Sequence, residues 1–400
     1  MRIAMLLAGT ALSLSMGTAH AKMSGAVGLT NPGEAGLSAA QIDAARPMIN
    51  SLAAPAVGAA GPQAAPAGQV PGVMGSGGAL KPQAFGTFGI PYTTTRVEVG
   101  NTNYNSLVGA NFLSTSYPYR AIGKLTFSTP GGNSFCSASV IRRGLIVTAA
   151  HCVRNFGGSA FFSNWTFRPG HWGPTGATAN QIAPYGTWSW RRVVIASTWA
   201  NGTDTGSGAA RNNDIALIAL NKDATGLFIG QRTGYFTYGW NNYSFVSSAR
   251  TGNQTVAAIS TLGYPGLMDL GRIMQRTDGP SYLTTVGGSL QIQQGSNFTG
   301  GSSGGPWIVN FASRLPVLSG GAVVGGFSAQ AIVGVTSWGT SDPNAPKDNF
   351  SSRFSQNVQF PLGNYGGYGA GNIGFLLNFM CSANANYGDG QTYAQKGFCS

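Results

Sequence analysis

Thr299-Gly300-Gly301-Ser302-Ser303-Gly304-Gly305-Pro306-Trp307 is the stretch on which the reading of the fold turns. Two glycine pairs enclose two serines, and the chain then switches abruptly to Pro306-Trp307-Ile308-Val309. Consecutive glycines let the backbone turn its N–H groups toward one point and let another chain come close. A nucleophile beside such N–H groups acquires an oxyanion hole. Here the nucleophile is Ser303, and the donors are the N–H groups of Gly301 and Ser303. Taken alone the pattern also suits a Gly/Ser-rich surface loop. The apolar run that follows argues for a loop held against a core.

A serine nucleophile needs a base, and imidazole is scarce in this chain. Three histidines occur. His20 falls in an export signal, so only His151 and His171 remain for chemistry near neutral pH. His151 ends Leu145-Ile146-Val147-Thr148-Ala149-Ala150-His151-Cys152: a buried strand, two small residues, the imidazole and a cysteine. Small packed neighbours and a covalent anchor can hold a base in one orientation. His171 lies in the turn-rich Pro169-Gly170-His171-Trp172-Gly173-Pro174, where an exposed ring without a chemical role is expected. Asp214 opens the apolar strand Ile215-Ala216-Leu217-Ile218-Ala219-Leu220. A carboxylate there faces a desolvation cost unless a donor pairs with it, and an imidazole N–H is one such donor.

Together these blocks resemble the chymotrypsin/trypsin superfamily, whose T-A-A-H-C, D-I-A-L and G-D-S-G-G-P blocks come in the same order. Gly334-Val335-Thr336-Ser337-Trp338-Gly339 resembles the family's G-x-x-S-W-G strand, which pairs with the substrate backbone. The resemblance covers about residues 90 to 380. It implies an all-β fold of two packed antiparallel barrels, about 110–240 and 241–380, with the active site in the cleft between them. It implies a serine endopeptidase with Ser303 as nucleophile, His151 as base and Asp214 as its orienting carboxylate, needing no cofactor and no metal. By analogy Asn297, Phe298, Thr299 and Thr336 line the specificity pocket. Ser337, Trp338 and Gly339 bind an extended peptide as an added strand. None of the pocket residues is charged, so a preference for uncharged or small residues is expected.

Tyr117-Pro118-Tyr119-Arg120-Ala121-Ile122-Gly123-Lys124 and Leu262-Gly263-Tyr264-Pro265-Gly266 are similar to markers of the bacterial glutamyl-endopeptidase-like branch. Two departures matter. Ser302 stands where trypsin-type zymogens carry the Asp that receives a new N-terminal amine, so activation through that ion pair is not available. Ser337 stands where members that cleave after Glu carry a histidine, so glutamate specificity is not implied.

Outward from these blocks, the chain reads as exported. Arg2, an apolar stretch from Ile3 to about Met16 and Ala19-His20-Ala21 make a signal peptide over residues 1–21, cleaved at a small-x-small site. This predicts a secreted or periplasmic protein. Cys136, Cys152, Cys381 and Cys399 then read as disulfides. Four cysteines allow three pairings; proximity along the chain favours Cys136–Cys152 and Cys381–Cys399. The first of these matches the disulfide that flanks the family's histidine.

Residues 22–85 are rich in Ala, Pro and Gly. From Ala53 to Gly78 there is no charge and almost no bulky apolar side chain, too little to offset conformational entropy. They read as a disordered pro-segment or linker, with a short helix over Ser38 to Ala45, and the protease domain occupies 86–400 with a C-terminal tail. Charged residues make up 8% of the chain, and little of it reads as long helix. The uncharged stretch Leu315 to Trp338 is long enough to raise a membrane span, but its glycines and β-branched residues read as strands joined by a turn. The net charge is +12, yet the basic residues form no run of four or more. No nucleic-acid partner and no stable membrane insertion are expected. The expected form is a monomer acting on protein or peptide substrates. The rival class is a non-catalytic secreted envelope-binding protein on the same fold, which an intact set of Ser303, His151 and Asp214 disfavours.

Overall fold

The computed structural model describes residues 25–50, 86, 92–98, 113–312, 319, 330–339, 347–355, 360 and 365–400. The signal-peptide assignment and most of the residue 51–91 linker lie outside the described residues. From the N-terminus come β1 (Ala26–Thr30), α1 (Ala39–Asp43), β2 (Arg46–Pro47) and β3 (Thr93–Arg96). A first barrel follows: β4 (Ile122–Thr129), β5 (Gly132–Arg142), β6 (Leu145–Thr148), β7 (Ser163–Pro169), β8 (Trp188–Ala196) and β9 (Ala216–Leu220). Short helices α2 (Ala179–Ile182) and α3 (Ser197–Ala200) sit in its connections. Then α4 (Ile229–Thr233), β10 (Thr237–Tyr238) and β11 (Val246–Ser247) lead to the second barrel. Its strands are β12 (Thr255–Gly263), β13 (Gln275–Val286), β14 (Ser289–Gly295), β15 (Pro306–Val309), β16 (Ala331–Gly339) and β17 (Asp348–Arg353), and α5 (Gly371–Ser382) ends the chain's regular structure.

Both barrels close on themselves through antiparallel pairing, one in the order β4-β5-β6-β9-β8-β7 and the other in the order β12-β15-β16-β17-β14-β13. Closure removes the sheet edges that would otherwise template association. It also explains the near-continuous apolar runs. β6 and β9 are buried along their whole length, because one face fills the barrel and the other is covered. One buried cluster runs from Leu125, Ile146 and Ile218 of the first barrel to Leu262, Ile308 and Ile332 of the second. Trp165 and Trp190 meet edge to face at 4.7 Å inside the first barrel, the geometry that aromatic quadrupoles favour.

Two features differ from the sequence reading. Residues 25–50 carry regular structure beyond the short helix expected over Ser38 to Ala45. β1 adds antiparallel to β8, from Ala26 opposite Ala196 to Thr30 opposite Arg192. α1 is capped by Ser38 and buries Ile42. β2 runs parallel to β5. Apolar residues spaced among the glycines suffice to anchor this part, which the averaged composition concealed. The second difference is α5. Its sequence, Gly-Asn-Ile-Gly-Phe-Leu-Leu-Asn-Phe-Met-Cys-Ser, carries no charge and is buried on most of its circumference, so the polar stripe that reveals a surface helix is missing.

Both disulfides pair as proximity suggested, Cys136–Cys152 and Cys381–Cys399. The second ties α5 to the last residues, whose Phe398 carbonyl accepts from Gly144 N–H at 2.7 Å beside β6. Replacing Cys381 and Cys399 with serine should lower unfolding stability by about 3 kcal/mol, the usual worth of a loop of this size. The urea midpoint of the double variant measures this, and an unshifted midpoint contradicts it.

Candidate active site

Asp214 sits just before β9 and has no exposed surface. Its carboxylate is compensated by three donors. Oδ1 accepts the His151 backbone N–H at 2.8 Å. Oδ2 accepts from His151 Nδ1–H at 2.8 Å and from the Ser337 hydroxyl at 2.6 Å. The imidazole tautomer follows: Nδ1 carries the proton, which leaves Nε2 as acceptor. Nε2 is buried and makes no hydrogen bond among the described residues.

The ring is held from several sides. Ala150–Cys152 form one 3-10 turn after β6. The Cys136–Cys152 disulfide anchors its end, and both sulfurs lie within 4.8 Å of the imidazole. Because those sulfurs are bonded to each other, neither is a thiolate that could ligate a metal. Asp214 is fixed from behind. Buried Asp204 accepts the Asn213 N–H at 2.7 Å, and burial pushes its carboxyl up to about 6. Asn372, at the start of α5, donates to the Asn212 carbonyl at 3.0 Å and to Asn213 at 3.3 Å.

The Ser303 loop is clamped between the barrels. Ser137 of β5 donates its N–H to the Ser303 carbonyl at 2.8 Å, and Gly304 N–H donates to the Thr336 carbonyl of β16 at 2.7 Å. Gly304 has a φ of +78°, and a Cβ there would lie 2.0 Å from Thr148 Oγ1 and 2.8 Å from Ala149 N. Only glycine therefore lets this loop close onto the segment that leads into His151. Ser303 is 5% exposed. Ser302 is buried, and its hydroxyl donates to the Thr299 carbonyl at 2.7 Å.

The remaining residues singled out by sequence divide into two groups. The backbone of Ser337 lies at a bulge, where the β16–β17 register shifts between Thr336 and Trp338. Trp338 stacks on Phe350 with ring centroids 3.8 Å apart, and Gly339 pairs with Asn349. Phe298 and Thr336, placed by analogy in the specificity pocket, are buried and used internally: Asn349 donates to the Phe298 carbonyl, and Trp307 Nε1 donates to Thr336 Oγ1. Asn297 accepts from Thr94 of β3 at 2.7 Å, and the Thr299 hydroxyl accepts from Leu267 N–H.

His171 corrects an expectation. It is not exposed but 3% accessible. Its Nδ1–H donates to the Ile182 carbonyl at 2.8 Å, and the Tyr264 hydroxyl donates to its backbone carbonyl at 3.0 Å. Burial, with Lys124 nearby, holds its pKa well below the ordinary histidine value. The insertion folds back between the barrels because Trp172 bridges to Ile273.

The largest surprise is what lies across the loop. The N–H of Gly301, an expected oxyanion donor, donates at 3.0 Å to the carbonyl of Met48, while Met48 N–H donates to the Phe135 carbonyl at 2.8 Å. A Cβ on Gly300 would meet Ile49 at 2.8 Å, and Asn50 Nδ2 reaches the Ser337 carbonyl at 3.5 Å. Residues 46–50 thus pass over the glycine loop from β5 toward β16. No motif marks them; only the folded register of β2 on β5 reveals the contact.

The trypsin family model matches residues 108–360. No curated protein sequence matches. Among solved structures, a thermostable serine protease AL20 from an extremophilic microorganism is 25% identical, with a TM-score of 0.44 over 59% of this chain and 92% of that one. Protease Anisep from Arthrobacter nicotinovorans is 21% identical, with a TM-score of 0.46 over 61% and 94%. A Glu endopeptidase in complex with MPD is 19% identical, with a TM-score of 0.41 over 65% and 91%.

The Ser337 hydroxyl is expected to act through Asp214. Ser337→Ala should lower kcat about tenfold with little change in KM, the cost of one hydrogen bond to a charged group. An unchanged kcat would leave Ser337 with a backbone role alone. With a family model that spans more than half of its length and two closed antiparallel barrels, the chain belongs to the trypsin family of serine proteases.

Proposed function

We propose that the protein is an exported serine endopeptidase working through an acyl-enzyme, with Ser303, His151 and Asp214 as its catalytic residues. One observation carries this reading: a fully buried carboxylate holds His151 by both its main chain and Nδ1, leaving a buried, unengaged Nε2. Such an imidazole has an acceptor to offer and a stabilised cation to become. Ser303 attacks the scissile carbonyl as Nε2 takes its proton. The imidazolium then protonates the leaving amine, and water repeats the sequence on the ester. Asp214 keeps the tautomer and never needs to take the proton. The N–H groups of Gly301 and Ser303 receive the developing oxyanion. The absence of a carboxylate at Ser302 removes the trypsin-type activation switch, so any control of activity lies elsewhere.

We read residues 46–50 as that control and the described state as a closed precursor. A substrate whose acyl half pairs with Ser337–Gly339 must run its leaving-group half toward β5, because the Ser303 loop is flanked by those two strands. The segment runs the other way, with Pro47 at β5 and Asn50 at Ser337. It occupies the Gly301 N–H without presenting a bond in the direction required for attack.

Ser303→Ala should fold normally and lose about 10⁴-fold or more in kcat, together with labelling by an organophosphonate probe. Asp214→Asn should cost on the order of 10⁴ through the wrong tautomer. A Ser303→Ala variant with wild-type turnover would remove the assignment. The active species should begin after Asn50, by cleavage between residues 51 and 92, because β3 belongs to the second sheet through its pairing with β13. N-terminal sequencing of the active enzyme tests this. A chain that retains residues 25–50 and hydrolyses peptides at the same rate as the cleaved form contradicts it.

A further inference from the structure

Beside Phe135 lies a cavity of about 380 Å³ that no step above uses. One wall is the segment Asp43 to Pro47; Lys124, Phe135, His171 and Arg272 contribute to the other. Lys124 is 6% exposed, and its Nζ donates to the Gly271 carbonyl at 3.0 Å. The ammonium also stands 3.9 Å from the centre of the Phe135 ring. The same ring packs on the oxyanion loop, since a Cβ at Gly301 would lie 2.5 Å from it. One phenyl group therefore separates Lys124 from the Gly301 N–H.

The charges facing this space are unbalanced. Arg168, on β7 beside β4, is buried; its Nη1 makes no hydrogen bond and lies 3.7 Å from Asp43 Oδ1. Arg272 donates to Thr175 Oγ1 at 3.1 Å. His171 is held neutral by burial. Burial draws Lys124 down to about 7, Asp43 opposes that shift, and Arg168 and Arg272 add to it. Arg46, Lys124 and Arg272 line this space and Arg168 reaches Asp43, the one carboxylate in the lining, whose side chain is 61% exposed. A buried ammonium with one carbonyl partner is poorly compensated, so an added carboxylate would be favoured there.

We propose that this cavity is a leaving-group-side subsite for an acidic side chain of the substrate, with Asp43 of the covering segment as its internal stand-in. The assignment of side rests on the endopeptidase reading: the cavity adjoins β5, on the flank of the Ser303 loop opposite Ser337–Gly339. Arg168 and Lys124 lie on neighbouring strands, paired Lys124 opposite Arg168. Their spacing is therefore set by the sheet and does not depend on the segment that covers them.

Internally quenched peptides carrying Asp, Glu, Asn or Gln in turn at each leaving-group position test this on the active enzyme. The expected result is at least about a tenfold advantage in kcat/KM for the carboxylate over its amide at one position. Lys124→Met should collapse that ratio toward one. Arg272→Gln, on the less buried wall, should reduce it as well and serves if the lysine variant does not fold. Equal rates for acid and amide at every position, or a ratio that survives both substitutions, overturns the proposal. If no peptide of either kind is cleaved, the endopeptidase reading fails instead, and binding decides the subsite. Full-length Asp43→Asn protein should then bind N-acetyl-aspartate amide more tightly than N-acetyl-asparagine amide by calorimetry. Equal affinities overturn it.

Discussion

Everything near Ser303 depends on the burial of one charge. Asp214 lies out of water entirely, and moving a carboxylate there costs several kcal/mol unless donors replace the solvent. Three do, from two residues far apart along the chain: the His151 main chain and ring, and the hydroxyl of Ser337 in the other barrel. The pair is thereby a constraint on docking as well as on chemistry. If the barrels separate, Asp214 loses one donor, and Ser303 loses its anchor to Ser137. Asn372 extends the constraint to α5, which follows the second barrel in sequence yet bonds to Asn212 and Asn213 beside the first.

How much of this was legible in sequence varied with the kind of information involved. The loop 299–307, ambiguous alone, could be read once it stood beside the His151 and Asp214 blocks that resemble the trypsin superfamily. Asp214 could be read because Asp214-Ile215-Ala216-Leu217 resembles the family's D-I-A-L block; its charge at the head of an apolar strand asks only for some partner. The disulfides followed from spacing. The Ser337 hydroxyl was seen only as part of a substrate-binding strand, because its aim at Asp214 depends on a register shift that no residue announces. His171 was misjudged: turn-rich neighbours suggested exposure, whereas its burial arises from contacts to Ile182 and Tyr264 that are set by tertiary folding. The pocket residues were placed by analogy alone. Phe298 and Thr336 have apolar or polar character on paper, but packing spends their polar groups on Asn349, Trp307 and Gly305.

Composition misled most at the N-terminus. Averaged over residues 22–85, alanine, proline and glycine point away from structure, and the average conceals Val27, Leu29, Leu37 and Ile42, which are enough to lay the chain along β8 and toward β5. A short amphiphilic anchor followed by a few backbone hydrogen bonds is a weak attachment next to a barrel core. Under the proposed function, that weakness suits a part that holds the cleft and is then released.

The covering segment also precedes both barrels in the order of synthesis. The ribosome makes residues 46–50 before the glycine loop, so Met48 precedes the Gly301 N–H that it accepts in the folded chain. Under the proposed function, the order of synthesis would itself be a safeguard.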